Sequence, residues 1–325
     1  MSTAATARKQ ASSFLKDVIT GLNASPKYLS SKYFYDAKGD ALFQQIMQCR
    51  EYYLTRCEME ILSRQSGDMA AVLAASGGEP FDLIELGAGD ASKSFHLLKE
   101  LLHRGTLHRY YPIDISANII AHLEHTLPAK LPGLQMEGLN GDYLEMLQQT
   151  RNYARRKRVI MFMGASIGNF TPPEALQFCC KLRQQMLPGD MLIIGFDLKK
   201  HPRIILPAYN DAQGITRAFN LNLLHRINRE LEANFNADNF DHYPVYDPQS
   251  GSCKSYLISL TEQVVEIGGG MATVRFKKDE PLYMEISQKY TVEEIHQMME
   301  SAGFSPVRQF YDSKRWFTDT VWQCL

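Results

Sequence analysis

The chain lacks any apolar run long enough to cross a bilayer. Its longest, at Val159 to Met163 and Met191 to Phe196, fall far short of the roughly 20 residues a spanning helix needs. They read instead as buried strands, and no membrane partner is expected. A basic arm is missing too: 35 Lys and Arg are offset by 36 Asp and Glu, leaving a net charge of −1. With no long-range pull on a polyanion, nucleic acid is not an expected partner. The six cysteines (Cys49, Cys57, Cys179, Cys180, Cys253, Cys324) form no CxxC pair, and the nine scattered histidines form no HExxH or HxH cluster. A catalytic metal is therefore not expected. Repeats and low-complexity segments are also absent. The first 22 residues lack the unbroken apolar segment of a secretory signal, since Lys16 and Asp17 interrupt their hydrophobics. A cytoplasmic location is the expectation.

What the chain does contain is ordinary globular material, 45% hydrophobic and 22% charged over 325 residues. That is enough for one large domain or two modest ones. Its most informative stretch is FDLIELGAGDASKS, from Phe81 to Ser94. An apolar run (Leu83, Ile84, Leu86) breaks into Gly87-Ala-Gly89 and then into residues that can open a helix. Glycines let the backbone turn sharply and let a ligand come close, and the first helical turn leaves N–H groups facing that point. The pattern predicts a nucleotide-type cofactor cradle.

Strands and helices alternate from there to Leu198. Helices are expected over Glu58 to Ala75, ended by a turn at Ser76 to Pro80, and then over Phe95 to Leu102, Ile119 to Leu127 and Tyr143 to Gln149. A further helix is capped by Thr171 and begun by Pro172 and Pro173. Strands are expected at Tyr110 to about Asp114, at Val159 to Gly164 and at Met191 to Leu198. Such alternation predicts a parallel sheet covered on both faces. Beyond His201 it stops: a helix is predicted over Ala208 to Glu230, followed by an Asn- and Asp-rich connector. Strand-like pieces follow at Ser255 to Leu260 and Val264 to Phe276. Thr291 then caps a helix that stops at Gly303, and two antiparallel strands turn at Ser313 to Arg315. Before the sheet, Phe14, Leu15, Val18, Ile19 and Leu22 mark an amphipathic helix. A segment dense in Tyr and Phe follows it.

In an open α/β sheet the ligand sits outside the carboxyl ends of the strands. The residues there are Gly87, Gly89, Asp114, Asp142 and Gly164 to Asn169. A dinucleotide site would want a third glycine, and Ser92 stands in its place. S-adenosylmethionine fits better. Gly87 and Gly89 would accommodate its methionine part, Asp114 would accept from the ribose hydroxyls, and Asp142 would accept from the adenine amine. Each carboxylate could equally be a helix cap. Together with the terminal helix and strand pair, they predict a methyltransferase.

The segments SSKYFYDAKGDALFQQI, EYYLTR, IELGAGDASKS, MGASIGNFTP, AYNDAQGITRAFNLNLLHRINREL and YMEISQKY resemble, in the same order, the histidine-specific Nα-methyltransferase family that makes trimethylhistidine (hercynine) for ergothioneine. The resemblance spans nearly the whole chain. It implies a class I methyltransferase core (56–200 plus 290–325) of Rossmann-like α/β architecture, and a second α+β substrate-binding domain (8–55 plus 201–289). It also implies a monomer taking a small amino acid. Carried over by position, Gly87, Lys93, Asp114 and Asp142 resemble cofactor contacts, with Gly89 in the same turn. Tyr52, Asn169 and Tyr209 resemble the contacts to the substrate carboxylate, and Tyr35 the catalytic residue near the amine. Glu285 and Ser287 match the pair gripping the imidazole. Phe43, Gly164 and Thr216 match positions lining the pocket. Two residues apart on a strand, Glu285 and Ser287 face the same way, so one accepts from and the other donates to the two imidazole nitrogens. A solvated strand face is the ordinary alternative. Where the family has a methionine against the substrate ring, an ungapped reading gives Ser255, which leaves open a bulkier aromatic amino acid such as tryptophan. A non-catalytic ligand-sensing homologue and a nicotinamide oxidoreductase are the competing classes.

Overall fold

The computed structural model describes residues 3–75, 79–151 and 156–325, with side chains of the first helix from Ser13 onward. The expected turn at Ser76 to Gly78 lies outside the described residues. In chain order the helices are α1 (Thr3–Asn23), α2 (Ala37–Gln48), α3 (Leu54–Ala75), α4 (Ser94–His103), α5 (Ala117–Lys130), α6 (Tyr143–Thr150), α7 (Pro172–Gln185), α8 (Pro202–Ile205), α9 (Ile215–Leu231) and α10 (Val292–Ser301). The strands are β1 (Phe81–Leu86), β2 (Leu107–Asp114), β3 (Leu139–Asn140), β4 (Arg158–Phe162), β5 (Met191–Asp197), β6 (Phe240–Asp247), β7 (Ser252–Ser259), β8 (Gln263–Ile267), β9 (Ala272–Phe276), β10 (Pro281–Gln288), β11 (Phe304–Tyr311) and β12 (Phe317–Cys324). They fall into two compact units. One is Leu54–Lys200 with Gln288–Leu325, the other Met1–Tyr53 with His201–Ser287.

The larger unit is a seven-stranded sheet in the order β11-β12-β5-β4-β1-β2-β3. β1 to β5 run parallel, and β12 and β11 are antiparallel additions at one edge. Every residue of β1, β4 and β5 is buried, as expected of parallel strands covered on both faces. The strand order reverses between β1 and β4, which is where an open sheet opens a crevice for a ligand. Local chemistry sets the ends of the elements. Thr291 and Glu294 cap α10 reciprocally: Glu294 N–H donates to Thr291 Oγ1 (3.2 Å) and Thr291 N–H to Glu294 Oε2 (2.7 Å). Asp190 anchors the turn into β5, holding the buried Arg158 guanidinium at 2.7 Å.

The smaller unit packs α1, α2 and α9 with a three-stranded sheet, β10-β7-β6, and the hairpin β8-β9. Phe14, Val18 and Leu22 from α1 meet Phe219, Leu223 and Ile227 from α9, with Leu257, Leu282 and Met284 from the sheet in the same core. Two expectations need correction. The helix predicted over Ala208 to Glu230 is broken. A 3-10 turn, Leu206–Tyr209, is followed by a loop, and α9 starts only at Ile215. The break is built by Asp211, whose two oxygens accept from Ile215 N–H (2.9 Å) and Thr216 N–H (2.8 Å), and by Gly214 in a left-handed conformation (φ 71°). The Asn- and Asp-rich connector also holds a strand, β6, paired with β7 along its whole length.

Candidate active site

The cradle forms where β1 ends. Gly87 turns with φ 74° and donates its N–H to Ile113 O (2.8 Å); a Cβ here would lie 2.9 Å from the hydroxyl of Tyr143. Gly89 follows at φ 54° and faces open space, with nothing within 4 Å of a Cβ placed on it. Its N–H donates to Asp114 Oδ2 (3.1 Å), while Asp114 Oδ1 accepts from Ser116 N–H (2.9 Å). Each Asp114 oxygen keeps acceptor capacity for a further donor. Burial pushes this carboxyl up, against the backbone donors that favour its ionised form. Asp142 caps α6 through Oδ1, accepting from Leu144 N–H (2.9 Å) and Glu145 N–H (3.3 Å). The cap reading holds for this residue, and it sets Tyr143 over Gly87.

Lys93 and Gly164 come together. A Cβ on Gly164 (φ 74°) would lie 3.5 Å from Lys93 Nζ. Both are held by a residue with no assigned role in the sequence reading, Glu58 of α3, which pairs with Lys93 through Oε2 and accepts the Gly164 N–H through Oε1 (2.6 Å). From Gly164 the chain runs through the 3-10 turn Ser166–Asn169, which ends on the exposed Asn169. Gly168 fixes this loop, since a Cβ there would sit 2.8 Å from the Gln288 carbonyl oxygen.

In the smaller unit, five residues form a continuous line. Tyr35 meets Phe43 edge-on (ring centroids 5.6 Å), Phe43 meets Tyr52 (6.3 Å) and Tyr52 meets Tyr209 (6.4 Å). Tyr209 Oη then hydrogen-bonds Ser287 Oγ at 2.7 Å. Glu285 lies two residues before Ser287 on β10, on the same side of the strand. Phe219 of α9 backs the line, 5.7 Å from Tyr35 and 5.9 Å from Phe43. Thr216, three residues before Phe219 and so on the same face of α9, is buried with its N–H on Asp211. Ser255 is buried in β7, opposite Pro244 of β6 and on the face of Cys253 and Leu257.

A family profile described as histidine-specific methyltransferase, S-adenosylmethionine-dependent, matches residues 14–324. The chain belongs to that family. A histidine N-alpha-methyltransferase of Mycobacterium tuberculosis is 36% identical over 304 residues, covering 94% of this chain and 90% of the relative. One of the same name from Mycolicibacterium smegmatis shares 36% over the same fractions of the two chains. The L-tryptophan methyltransferase of Psilocybe serbica is more distant, at 26% identity over 91% of this chain and 89% of its own. This histidine-specific methyltransferase family member is thus an S-adenosylmethionine-dependent enzyme with the class I α/β core. Among its described residues no group of side chains could hold a metal ion, and no helix is long and apolar enough to cross a membrane.

Two functional neighbours escaped the sequence reading. Glu58 carries a detectable signal, an acid at a helical spacing otherwise filled by Leu54, Ile61 and Leu62, all buried. Phe219 carries none beyond being one of many core aromatics.

Proposed function

We propose that the protein transfers methyl groups from S-adenosylmethionine to the α-amine of L-histidine, successively to the trimethylated betaine, hercynine. The observation that carries this is the line from Tyr35 through Phe43, Tyr52 and Tyr209 to Ser287, ending beside Glu285. It supplies an apolar wall with hydroxyl tips and, at one end, a carboxylate and a hydroxyl. Those two suit the two nitrogens of an imidazole.

The donor fits the larger unit. Gly89 leaves room for a ligand against the backbone, and Asp114 can accept from vicinal hydroxyls. Lys93 offers an ammonium to a carboxylate, with Gly87 shaping the turn and Asp142 at the adenine end. When bound, the cofactor supplies an activated methyl on a sulfonium. The chain's own work is binding and aim. Tyr52 and Tyr209 hold the substrate carboxylate, while Glu285 and Ser287 fix the ring, so that the amine has one orientation. Within the smaller unit, Phe43 and Thr216 line the substrate pocket. Tyr35 orients the amine lone pair through its hydroxyl and leaves the proton to water, since tyrosine hydroxyls stay protonated near neutrality. Alignment of this kind contributes up to about 7–11 kcal/mol to a displacement.

The test is to incubate the purified protein with S-adenosylmethionine and each amino acid in turn and read product masses. Histidine is expected to gain three methyl groups, with tryptophan and tyrosine unreacted. No mass gain on histidine refutes the substrate assignment, and cofactor binding without transfer to any amino acid points to a sensing protein.

A further inference from the structure

Glu58 is fully buried on α3, a costly place for a carboxylate unless something holds it. Two partners do. Oε2 pairs with the Lys93 ammonium, and Oε1 accepts the Gly164 N–H at 2.6 Å. One carboxylate therefore ties the lysine at the start of α4 to the first residue of the loop that ends on Asn169.

A second carboxyl stands beside it. Asp319 of β12 is fully buried, and neither of its oxygens has a hydrogen-bond partner among the described residues. It lies opposite Gly195 in the β12–β5 pairing, and a Cβ on Gly195 would sit 2.6 Å from Glu58 Oε1 and 3.1 Å from Asp319 Oδ1. Only glycine leaves space for both groups. Burial first, and then the Glu58 charge, push the Asp319 carboxyl well up, with Lys93 opposing. Both influences favour the protonated form of Asp319.

We propose that Glu58 is a positioning residue for methyl transfer, holding the Lys93 ammonium toward the cofactor carboxylate and the Gly164 backbone toward the substrate loop. This rests on Lys93 contacting the cofactor. The groups facing Lys93 are Glu58 from α3, Asp319 from β12 and Glu85 from β1. Burial lowers the lysine; Glu58, by charge and hydrogen bond, leads the groups that raise it, Asp319 and Glu85 add to it, and the net direction is up. Without Glu58 the desolvation remains and only Asp319 and Glu85 oppose it, so Lys93 loses its proton at lower pH than in the native protein and its hold on a carboxylate weakens as pH rises.

The experiment is calorimetric titration with S-adenosylhomocysteine between about pH 6.5 and 8.5, where an ammonium above its ordinary range stays charged. Native protein is expected to show affinity constant within about twofold, because Lys93 stays charged throughout. Glu58→Gln is expected to bind roughly tenfold or more weakly at neutral pH, a typical loss for a charge-assisted contact, and to weaken further with rising pH. The histidine KM of Glu58→Gln stays near native, because the amide oxygen still accepts from Gly164. Asp319→Asn, a neutral replacement of the same shape, keeps the flat profile. Lys93→Met weakens binding without any pH dependence.

A Glu58→Gln profile parallel to native overturns the proposal. So does an Asp319→Asn profile that falls with pH, which would make Asp319 the counter-ion, or native affinity in Lys93→Met. Should Glu58→Gln fail to fold, the Asp319→Asn and Lys93→Met results still decide. A protein with these profiles that adds no methyl to histidine supports the positioning role and refutes the substrate assignment alone.

Discussion

Replacing Glu85 with Gln is expected to remove a pH dependence built into the central sheet. Glu85 lies on β1, almost completely buried, with the Tyr110 hydroxyl donating to Oε2 at 2.5 Å. Burial pushes its carboxyl from an ordinary 4.5 to about 7, against Tyr110, Ser94 and Lys93, which favour the ionised form. The sign follows from linkage. Below 4.5 the acid is protonated whether the chain is folded or not, and no penalty arises. Between 4.5 and about 7 the unfolded chain ionises while the folded one holds its proton, so stability falls as pH rises. Above that both are ionised and the penalty is constant. The shift corresponds to roughly 3 kcal/mol, a large share of the ~5–15 kcal/mol by which a domain is stable. Glu85→Gln keeps an acceptor for Tyr110 and carries no charge at any pH. The assay is urea denaturation at several values between about pH 5 and 8, spanning the titration. Intrinsic fluorescence follows it, since both tryptophans, Trp316 and Trp322, belong to the larger unit. The native-minus-variant gap should widen in favour of the variant as pH rises, then level off. A gap that does not change with pH would refute the argument that burial holds this carboxyl protonated.

Glu285→Ala should weaken histidine binding by about 10- to 100-fold, the range for a lost charge-assisted hydrogen bond, while leaving S-adenosylhomocysteine affinity unchanged. Calorimetry returning native histidine affinity would rule out the imidazole grip. Gly87→Ala should cost more than Gly89→Ala in thermal stability. Both glycines have positive φ, but only the Gly87 Cβ meets an obstacle, the Tyr143 hydroxyl at 2.9 Å. Equal melting temperatures would contradict this. A double-mutant cycle on Tyr209→Phe and Ser287→Ala should give a coupling of about 1 kcal/mol in histidine affinity, since their hydroxyls bond at 2.7 Å. Strict additivity would mean that the bond plays no part in binding.

The larger unit was legible because its physics is repetitive. Strands buried on both faces must be apolar throughout, as in Met191 to Phe196, and a cap with a glycine stop marks a helix such as α10, bounded by Thr291 and Gly303. β6 was not legible, for an equally physical reason. Its alternation is present but inverted in polarity. Phe240, His242 and Pro244 point inward, while Tyr243 and Val245 face outward at 58% and 37% exposure. A period-2 reading that follows apolar residues finds no inner face in FDHYPVYD. His242 tolerates this burial only as the neutral imidazole, its pKa pushed down to about 4 mainly by desolvation. The helix read over Ala208 to Glu230 failed differently. Its apolar spacing is real beyond Ile215, but Asp211 and Gly214 sit four and one residues before it, a cap and a left-handed entry that spacing alone passes over.

The site shows the same division between first contacts and what supports them. Residues that would touch ligand, such as Gly87, Asp114, Glu285 and Ser287, stand out because their chemistry is out of place at a strand end or on a strand face. Glu58 and Asp319 belong to regular elements whose other residues are core, and their meeting depends on a glycine, Gly195, in a strand that neither occupies. No local pattern connects positions 58, 93, 195 and 319. Only the sheet order, which brings β12 beside β5, puts two carboxyls around a single missing side chain, one of them paired with the Lys93 ammonium. Burial weighs on both acids, but their surroundings differ: Glu58 meets the Lys93 ammonium and the Gly164 N–H, whereas Asp319, with no hydrogen-bond partner among the described residues, is pushed toward its neutral form by desolvation and by the Glu58 charge.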